Sequence, residues 1–192
     1  KYKGDNGVCM AYFGDGAINQ GQVYESFNMA QLWSLPVIFV VENNKYGMGM
    51  SIERASATTE LYQRGSAHGI PGVQVDGMDV VAVNEAAQKA LKHCRTGKGP
   101  YILEMKTYRY RGHSMSDPAK YRSREEVSKV RKESDPIDNL REVLLKHKMT
   151  TEEALKDIDR EVKAVVTQAA NFAQKSPEPD SRELYTDILV EA

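Results

Sequence analysis

Asp15 stands between Gly14 and Gly16, and an asparagine pair, Asn43-Asn44, follows one helix-length later. Carboxylate and carboxamide oxygens are hard ligands of the kind Mg²⁺ takes while keeping other positions for phosphate oxygens and water. Gly14 and Gly16 let the backbone approach a phosphate closely, and a helix start leaves the N–H groups of Gly16 and Ala17 free to donate. Mg²⁺ with one carboxylate keeps about one net positive charge, the right sign for a diphosphate. Taken alone, Asp15 is better read as an Asp-Gly turn residue, and the alternative for Gly16-Ala17 is an ordinary helix start. The second oxygen ligand at a second strand end favours a metal–diphosphate site. On spacing alone either Asn43 or Asn44 serves as that ligand. Asn19 is expected to cap the following helix in preference to reaching the phosphate.

The elements around these residues place them together. Val8–Phe13 is an apolar run ending at Gly14, and Val37–Val41 is a second, β-branched and aromatic, ending before the asparagines. Between them Val23, Phe27 and Ala30 recur at helical spacing over about Gln20–Leu32, which makes a right-handed βαβ unit. Ligands of open α/β sheets bind outside the carboxyl ends of the strands, where both halves of the motif lie. Lys45–Gly72 reads as a loop with a short helix near Thr58–Arg64. A short strand at Val73–Val75 and a helix Val80–Cys94 capped by Asp79 follow, then a strand Tyr101–Tyr108. The alternation predicts an α/β fold with a doubly wound, mostly parallel sheet. Ser123 with Glu126, Asp135-Pro136, and Thr150 with Glu153 each announce a helix start. The last of these helices carries Leu155, Ile158, Val162, Val165, Ala169 and Ala173 on one face. The expected division is 1–135, the α/β domain with the loop Arg109–Arg122, and 136–192, a helical extension.

Composition narrows the function. A net charge of −1 with 28% charged residues gives no electrostatic case for nucleic acid or an anionic membrane. No apolar stretch is bilayer-length. Cys9 and Cys94 have no metal-ligand spacing; they are expected to be inert, buried or half-buried thiols in a reducing compartment. No Walker sequence or G-x-G-x-x-G follows the first strand, which counts against nucleotide binding; a non-catalytic scaffold survives only as a reading of this segment in isolation.

The longer motifs carry a resemblance. Gly14–Trp33, then Glu42-Asn43-Asn44-Lys45-Tyr46-Gly47-Met48-Gly49, then Tyr108-Arg109-Tyr110-Arg111-Gly112-His113-Ser114-Met115-Ser116-Asp117-Pro118 resemble the alpha subunits of pyruvate dehydrogenase E1, in the thiamin-diphosphate-dependent 2-oxo acid dehydrogenase family. The likeness weakens after about Pro136. It implies thiamin diphosphate and Mg²⁺ as cofactors, with Asp15, Asn44 and the Tyr46 carbonyl as metal ligands and Asn43 bracing the backbone. It implies diphosphate contacts from Gly16, Ala17 and His113, a role for His113 in transfer to a lipoyl arm, and Arg109 as an orienting cation. Ser114 and Ser51 match serines phosphorylated in eukaryotic relatives. A phosphate on Ser114 beside the diphosphate would oppose loop closure by like-charge repulsion. Asp117-Pro118-Ala119-Lys120-Tyr121 is one residue shorter than the mammalian loop and lacks its second regulated serine.

The same resemblance implies pyruvate as substrate, an E1 beta subunit in an α2β2 assembly, and the lipoyl domain of E2 as acceptor. It points to a bacterial cytoplasm or a mitochondrial matrix. Branched-chain 2-oxo acid and acetoin dehydrogenases are the neighbouring alternatives. In the family a substantial segment precedes the residue matching Lys1, so the chain is expected to be part of a longer polypeptide.

Overall fold

A computed structural model describes Lys1 and residues 4–188. β1 (Cys9–Gly14) passes through a single 3₁₀ turn, Ala17–Asn19, into α1 (Gly21–Leu32), and β2 (Val37–Asn43) returns parallel to β1. A small hairpin follows, β3 (Tyr46–Gly47) with β4 (Met50–Ser51), then α2 (Ile52–Ala55) and a 3₁₀ segment, Leu61–His68. β5 (Gly72–Asp76), α3 (Val80–Arg95) and β6 (Tyr101–Lys106) complete the α/β part; α4 (Arg124–Ser134), α5 (Pro136–Lys146) and α6 (Glu152–Lys175) follow. The long strands form one parallel sheet in the order β1-β2-β6-β5.

The doubly wound α/β expectation holds because the sheet is apolar on both faces. Phe39 and Val41 of β2 and Ile102 of β6 join Phe27 and Ala30 of α1 in one core. Ile38, Val40, Leu103 and Met105 point the other way and meet Ala90 and Cys94 of α3. Alternate side chains of each central strand thus enter different cores, which is why β2 reads as an unbroken apolar run. β1 lies at the sheet edge, and Tyr12 on it is 59% exposed.

Local starts follow the expected chemistry with shifts. Asp79 caps α3 by accepting from Val81 N at 2.9 Å and Ala82 N at 3.1 Å, and Ser123 caps α4 through Glu126 N at 3.0 Å. The last helix is capped by Thr151, not Thr150: its hydroxyl accepts from Ala154 N at 3.2 Å, leaving Glu152 and Glu153 in the first turn. The helix expected near Thr58–Arg64 is instead the 3₁₀ segment, because buried Leu61 and Gly65 anchor it and Gly69 ends it in the left-handed region at φ 71°. β6 stops at Lys106, two residues short of Tyr108, because both neighbouring strands end level with it at Asn43 and Asp76. Cys9 is exposed, contrary to expectation, since it opens the edge strand; Cys94 is buried, and burial pushes its thiol pKa up. Asn19 does not cap α1: it donates to Ser56 Oγ at 3.4 Å and accepts from Arg64 at 2.6 Å.

The chain divides into two compact units, Lys1–Leu140 and Arg141–Ala192. In the second, Ile158, Val162, Val165 and Phe172 of α6 are exposed. Among the described residues no helix is long and apolar enough to cross a membrane.

Candidate functional site

β1 and β2 run in register from Cys9↔Val37 to Gly14↔Glu42, so their carboxyl ends open side by side. Asp15 leaves the first end and is 3% exposed. Asn43 and Asn44 leave the second. The two segments then touch: a Cβ on Gly16 would lie 3.3 Å from Gly47 Cα, and one on Gly47 would lie 3.2 Å from Gly16 Cα. This close approach brings the Asp15-Gly16 turn against the Asn44–Gly47 loop.

Burial raises the Asp15 carboxyl pKa above the ordinary range; a backbone hydrogen bond and the charges of Arg109 and Lys106 only partly oppose it. No cation pairs with it among the described residues within salt-bridge distance. A desolvated carboxylate of this kind gains most from a divalent ion. No group of three or more His, Cys, Asp or Glu converges anywhere among the described residues, so a cation here would rely on amide and carbonyl oxygens beside this single acid.

Asn44 and Tyr46 supply such oxygens. The Asn44 carboxamide has two orientations. With its NH₂ toward Tyr46 it donates to the Tyr46 carbonyl at 3.0 Å and its oxygen accepts from Arg109 Nη2 at 3.2 Å. With its oxygen toward Tyr46 it accepts only a long bond from Tyr46 N at 3.3 Å, and two oxygens face each other across the same gap. Repulsion favours the first orientation in the bare chain. A cation favours the second: octahedral ligands at about 2.1 Å from Mg²⁺ stand about 3.0 Å from one another along an edge. The residues therefore fit a hard, oxygen-bound divalent ion.

They fit an anion as well. The N–H groups of Gly16 and Ala17 donate to nothing among the described residues, beside the turn closed by Asn19 N and Gln20 N. These donors belong to the 3₁₀ turn, not to the start of α1 as expected, because α1 begins only at Gly21. Arg109 Nη1 is buried with no acceptor. Gly16 is exposed and Ala17 half-buried, so their N–H groups are open to water; the buried Arg109 Nη1 is the donor here that an anion would satisfy.

The loop after β6 is held by a residue the sequence reading passed over. Arg122 donates to the carbonyls of Arg109 and Arg111, and its guanidinium lies 5.6, 5.3 and 5.4 Å from the ring centroids of Tyr46, Tyr108 and Tyr121. Asp117 accepts from His113 N at 2.7 Å, Ala119 N at 2.8 Å and the Tyr121 hydroxyl at 2.8 Å, bonds that hold its carboxyl below the usual range. His113 itself is exposed, and its imidazole forms no hydrogen bond among the described residues. Ser114 is exposed with its hydroxyl 3.0 Å from that of Ser116; Ser51 pairs across the hairpin with Tyr46. The structure thus brings Asp15, Gly16, Asn44, Tyr46 and Arg109 together, places Ser51 in β4 opposite Tyr46, and leaves His113 and Ser114 on the loop after β6.

The second missed residue is Glu104. It is fully buried in β6, where it accepts from Asn43 Nδ2 at 2.6 Å and Tyr62 N at 3.1 Å. Its signal was available: an acid inside the apolar run Ile102-Leu103-Glu104-Met105.

A parallel sheet with oxygen-bearing side chains and backbone N–H donors at the carboxyl ends of neighbouring strands defines an α/β protein. Residues 1–182 match the dehydrogenase E1 component family, and the chain belongs to it. It is 64% identical over 190 residues to the pyruvate dehydrogenase E1 component subunit alpha of Rhizobium meliloti (strain 1021), covering 99% of this chain and 55% of the relative. The corresponding Zymomonas mobilis subunit is 57% identical, covering 99% and 53%. The human somatic, mitochondrial form is 52% identical over 185 residues, covering 96% and 47%. The chain spans about half the length of these curated relatives.

Proposed function

We propose that this chain is the diphosphate-holding part of a pyruvate dehydrogenase E1 alpha subunit. Asp15, Asn44 and the Tyr46 carbonyl hold Mg²⁺, and the N–H groups of Gly16 and Ala17 with the Arg109 guanidinium hold the diphosphate of thiamin diphosphate. The cofactor, when bound, supplies the electron sink for decarboxylating a 2-oxo acid. The chain's own contribution is grip and charge. Asp15 is desolvated before the ion arrives, so the ion meets a ligand with no water shell to shed. Arg109 brings a second positive charge to the phosphate side, with its Nη1 buried and without an acceptor. Arg122 holds the 109–122 loop against Tyr46, which keeps His113 on a loop that closes beside the diphosphate and meets the acceptor.

The whole enzyme on this reading is an α2β2 assembly with an E1 beta subunit, acting on pyruvate and passing the acetyl unit to the lipoyl domain of E2. The alpha-subunit names of the relatives support pyruvate over branched-chain substrates or acetoin. The observation that carries the reading is the backbone meeting of Gly16 and Gly47, which joins the two ligand-bearing loops. The test is calorimetric titration of thiamin diphosphate and Mg²⁺ into the full assembly, wild type against Asp15→Ala. A loss of at least tenfold is expected; equal affinities refute the metal assignment.

A further inference from the structure

We infer that Glu104 is a positioning residue for the metal loop: it fixes the Asn43 amide, which in turn fixes the turn presenting Asn44 and the Tyr46 carbonyl. The inference rests on the metal–diphosphate reading above.

Parallel register sets the pair. Glu104 lies opposite Val41, and Asn43 is two residues further along β2 on the same face of the sheet. Diagonal neighbours of this kind are within reach of long side chains. Both Glu104 oxygens are committed. Tyr62 N is a backbone donor, so Oε2 can only accept from it, at 3.1 Å. On the other side, Lys45 N is also a backbone donor and bonds Asn43 Oδ1 at 3.2 Å. That leaves the Asn43 NH₂ to face Glu104, where it donates to Oε1 at 2.6 Å. Every bond in the chain Tyr62 N, Glu104, Asn43, Lys45 N has one permitted direction.

The end of that chain is a strained turn. Lys45 sits at φ 74°, in the left-handed region that a residue with a Cβ enters at a cost. It is held from both sides, its N–H by Asn43 and its carbonyl by Ile52 N at 3.1 Å. Asn44 precedes it and Tyr46 follows it. The two proposed metal ligands of β2's carboxyl end therefore flank the residue whose conformation Asn43 secures. A buried acid with no cation partner among the described residues is costly to keep. Only an acceptor at both oxygens satisfies two donors here, which accounts for an acid at this depth.

A glutamine side chain at position 104 breaks the chain whichever way it turns, because its NH₂ must face either Tyr62 N or the Asn43 NH₂. An aspartate side chain at position 43 breaks it differently, by setting two acids against each other. Together the two changes repair it. The new carboxamide at position 104 donates to the new carboxylate at position 43 and accepts from Tyr62 N, while that carboxylate still accepts from Lys45 N. The experiment compares wild type, Glu104→Gln, Asn43→Asp, the double variant and Asp15→Ala as full-length chains in the native assembly. Mg²⁺ is titrated calorimetrically at saturating thiamin diphosphate, and metal-free thermal midpoints are recorded alongside. Each single variant is expected to bind Mg²⁺ about 10- to 100-fold more weakly, the usual cost of losing an outer support of a metal site, and the double variant to return to within about threefold of wild type. Wild-type affinity in Glu104→Gln overturns the inference. So does a double variant with a wild-type midpoint that still binds weakly. If the single variants do not fold, the double variant decides alone on the same criterion. Wild-type affinity in Asp15→Ala overturns the metal reading and this inference with it; a retained Asp15 effect beside an unaffected Glu104→Gln overturns the inference alone.

Discussion

Gly16 and Gly47 meet backbone to backbone, so close that a Cβ on either would make a tighter than ordinary contact with the other's Cα. Gly16 has φ −73° and ψ −42°, a conformation any residue adopts, so the requirement at Gly16 is for space and not for torsional freedom. Alanine at either position requires the facing backbone to give by a few tenths of an ångström. Gly16→Ala and Gly47→Ala are each expected to cost about 1–3 kcal/mol of stability, as overpacking does. Their effect on Mg²⁺–thiamin diphosphate affinity should be disproportionate, because the displaced segments carry the ligands. Thermal midpoints and calorimetry on the same preparations check both.

With Asp15 as the proposed ligand, metal binding should be sensitive to pH. Its carboxyl is raised by burial, and the ion requires the ionised form. Mg²⁺ affinity should therefore fall on acidification from a pH above the ordinary aspartate value of 3.8. The sign for stability is opposite in the metal-free protein. An acid whose folded pKa is raised stabilises the fold at low pH, and that contribution disappears as pH climbs through the raised value. Asp15→Asn should accordingly raise the metal-free thermal midpoint at neutral pH, while abolishing the rise that Mg²⁺ with thiamin diphosphate gives the wild type. A midpoint unaltered by the substitution in both conditions would count against a desolvated Asp15.

Much of this was legible in the chain, for identifiable reasons. β2 and the helix after Asp79 could be placed because an apolar run and an N-cap are local signals. Asp15 and Asn44 could be paired because each follows a strand, and adjacent strands of a βαβ unit share one end. What was not legible depends on partners distant in sequence. Cys9 reads as apolar-strand interior, yet its exposure follows from β1 lying at the edge, which strand order alone decides. Asn19 has a cap-like type and position, but Arg64 and Ser56, brought up by the 3₁₀ segment, claim its side chain. The Glu104–Asn43 bond spans sixty-one residues and appears only once β6 is inserted beside β2.

Arg122 should matter to the loop more than to the fold. Its guanidinium is enclosed by three tyrosine rings and ties two loop carbonyls, in a segment otherwise organised by Asp117. Each cation–π contact contributes about 0.5–1 kcal/mol, and all are local to residues 108–122 and the hairpin. Arg122→Met is expected to leave the global thermal midpoint within a few degrees while making peptide bonds near His113 and Ser114 markedly faster to cleave in limited proteolysis. Arg122→Lys should do nearly the same, since lysine has neither the flat ring-stacking face nor the paired donors. Cleavage at the wild-type rate in both variants would remove Arg122 from this role.

Arg109 offers a separation of binding from stability. Its Nη1 is buried without an acceptor, a state that costs the bare protein free energy and suits one awaiting a ligand oxygen. Arg109→Met removes the orphan donor along with the charge, and with them the Nη2 bond to Asn44 and a charge that favours ionised Asp15, so the metal-free thermal midpoint should fall only slightly. Thiamin diphosphate should bind about 10- to 100-fold more weakly, the loss of one charge-assisted hydrogen bond worth about 1.5–3 kcal/mol. The same substitution withdraws a positive charge that lowers the Asp15 carboxyl, so burial acts with less opposition and the acid limb of Mg²⁺ binding should move to higher pH. Calorimetry across a pH series reads both effects on one variant. A variant destabilised without cofactor, with unchanged affinity and an unmoved acid limb, would make Arg109 a structural cation with no part in the site.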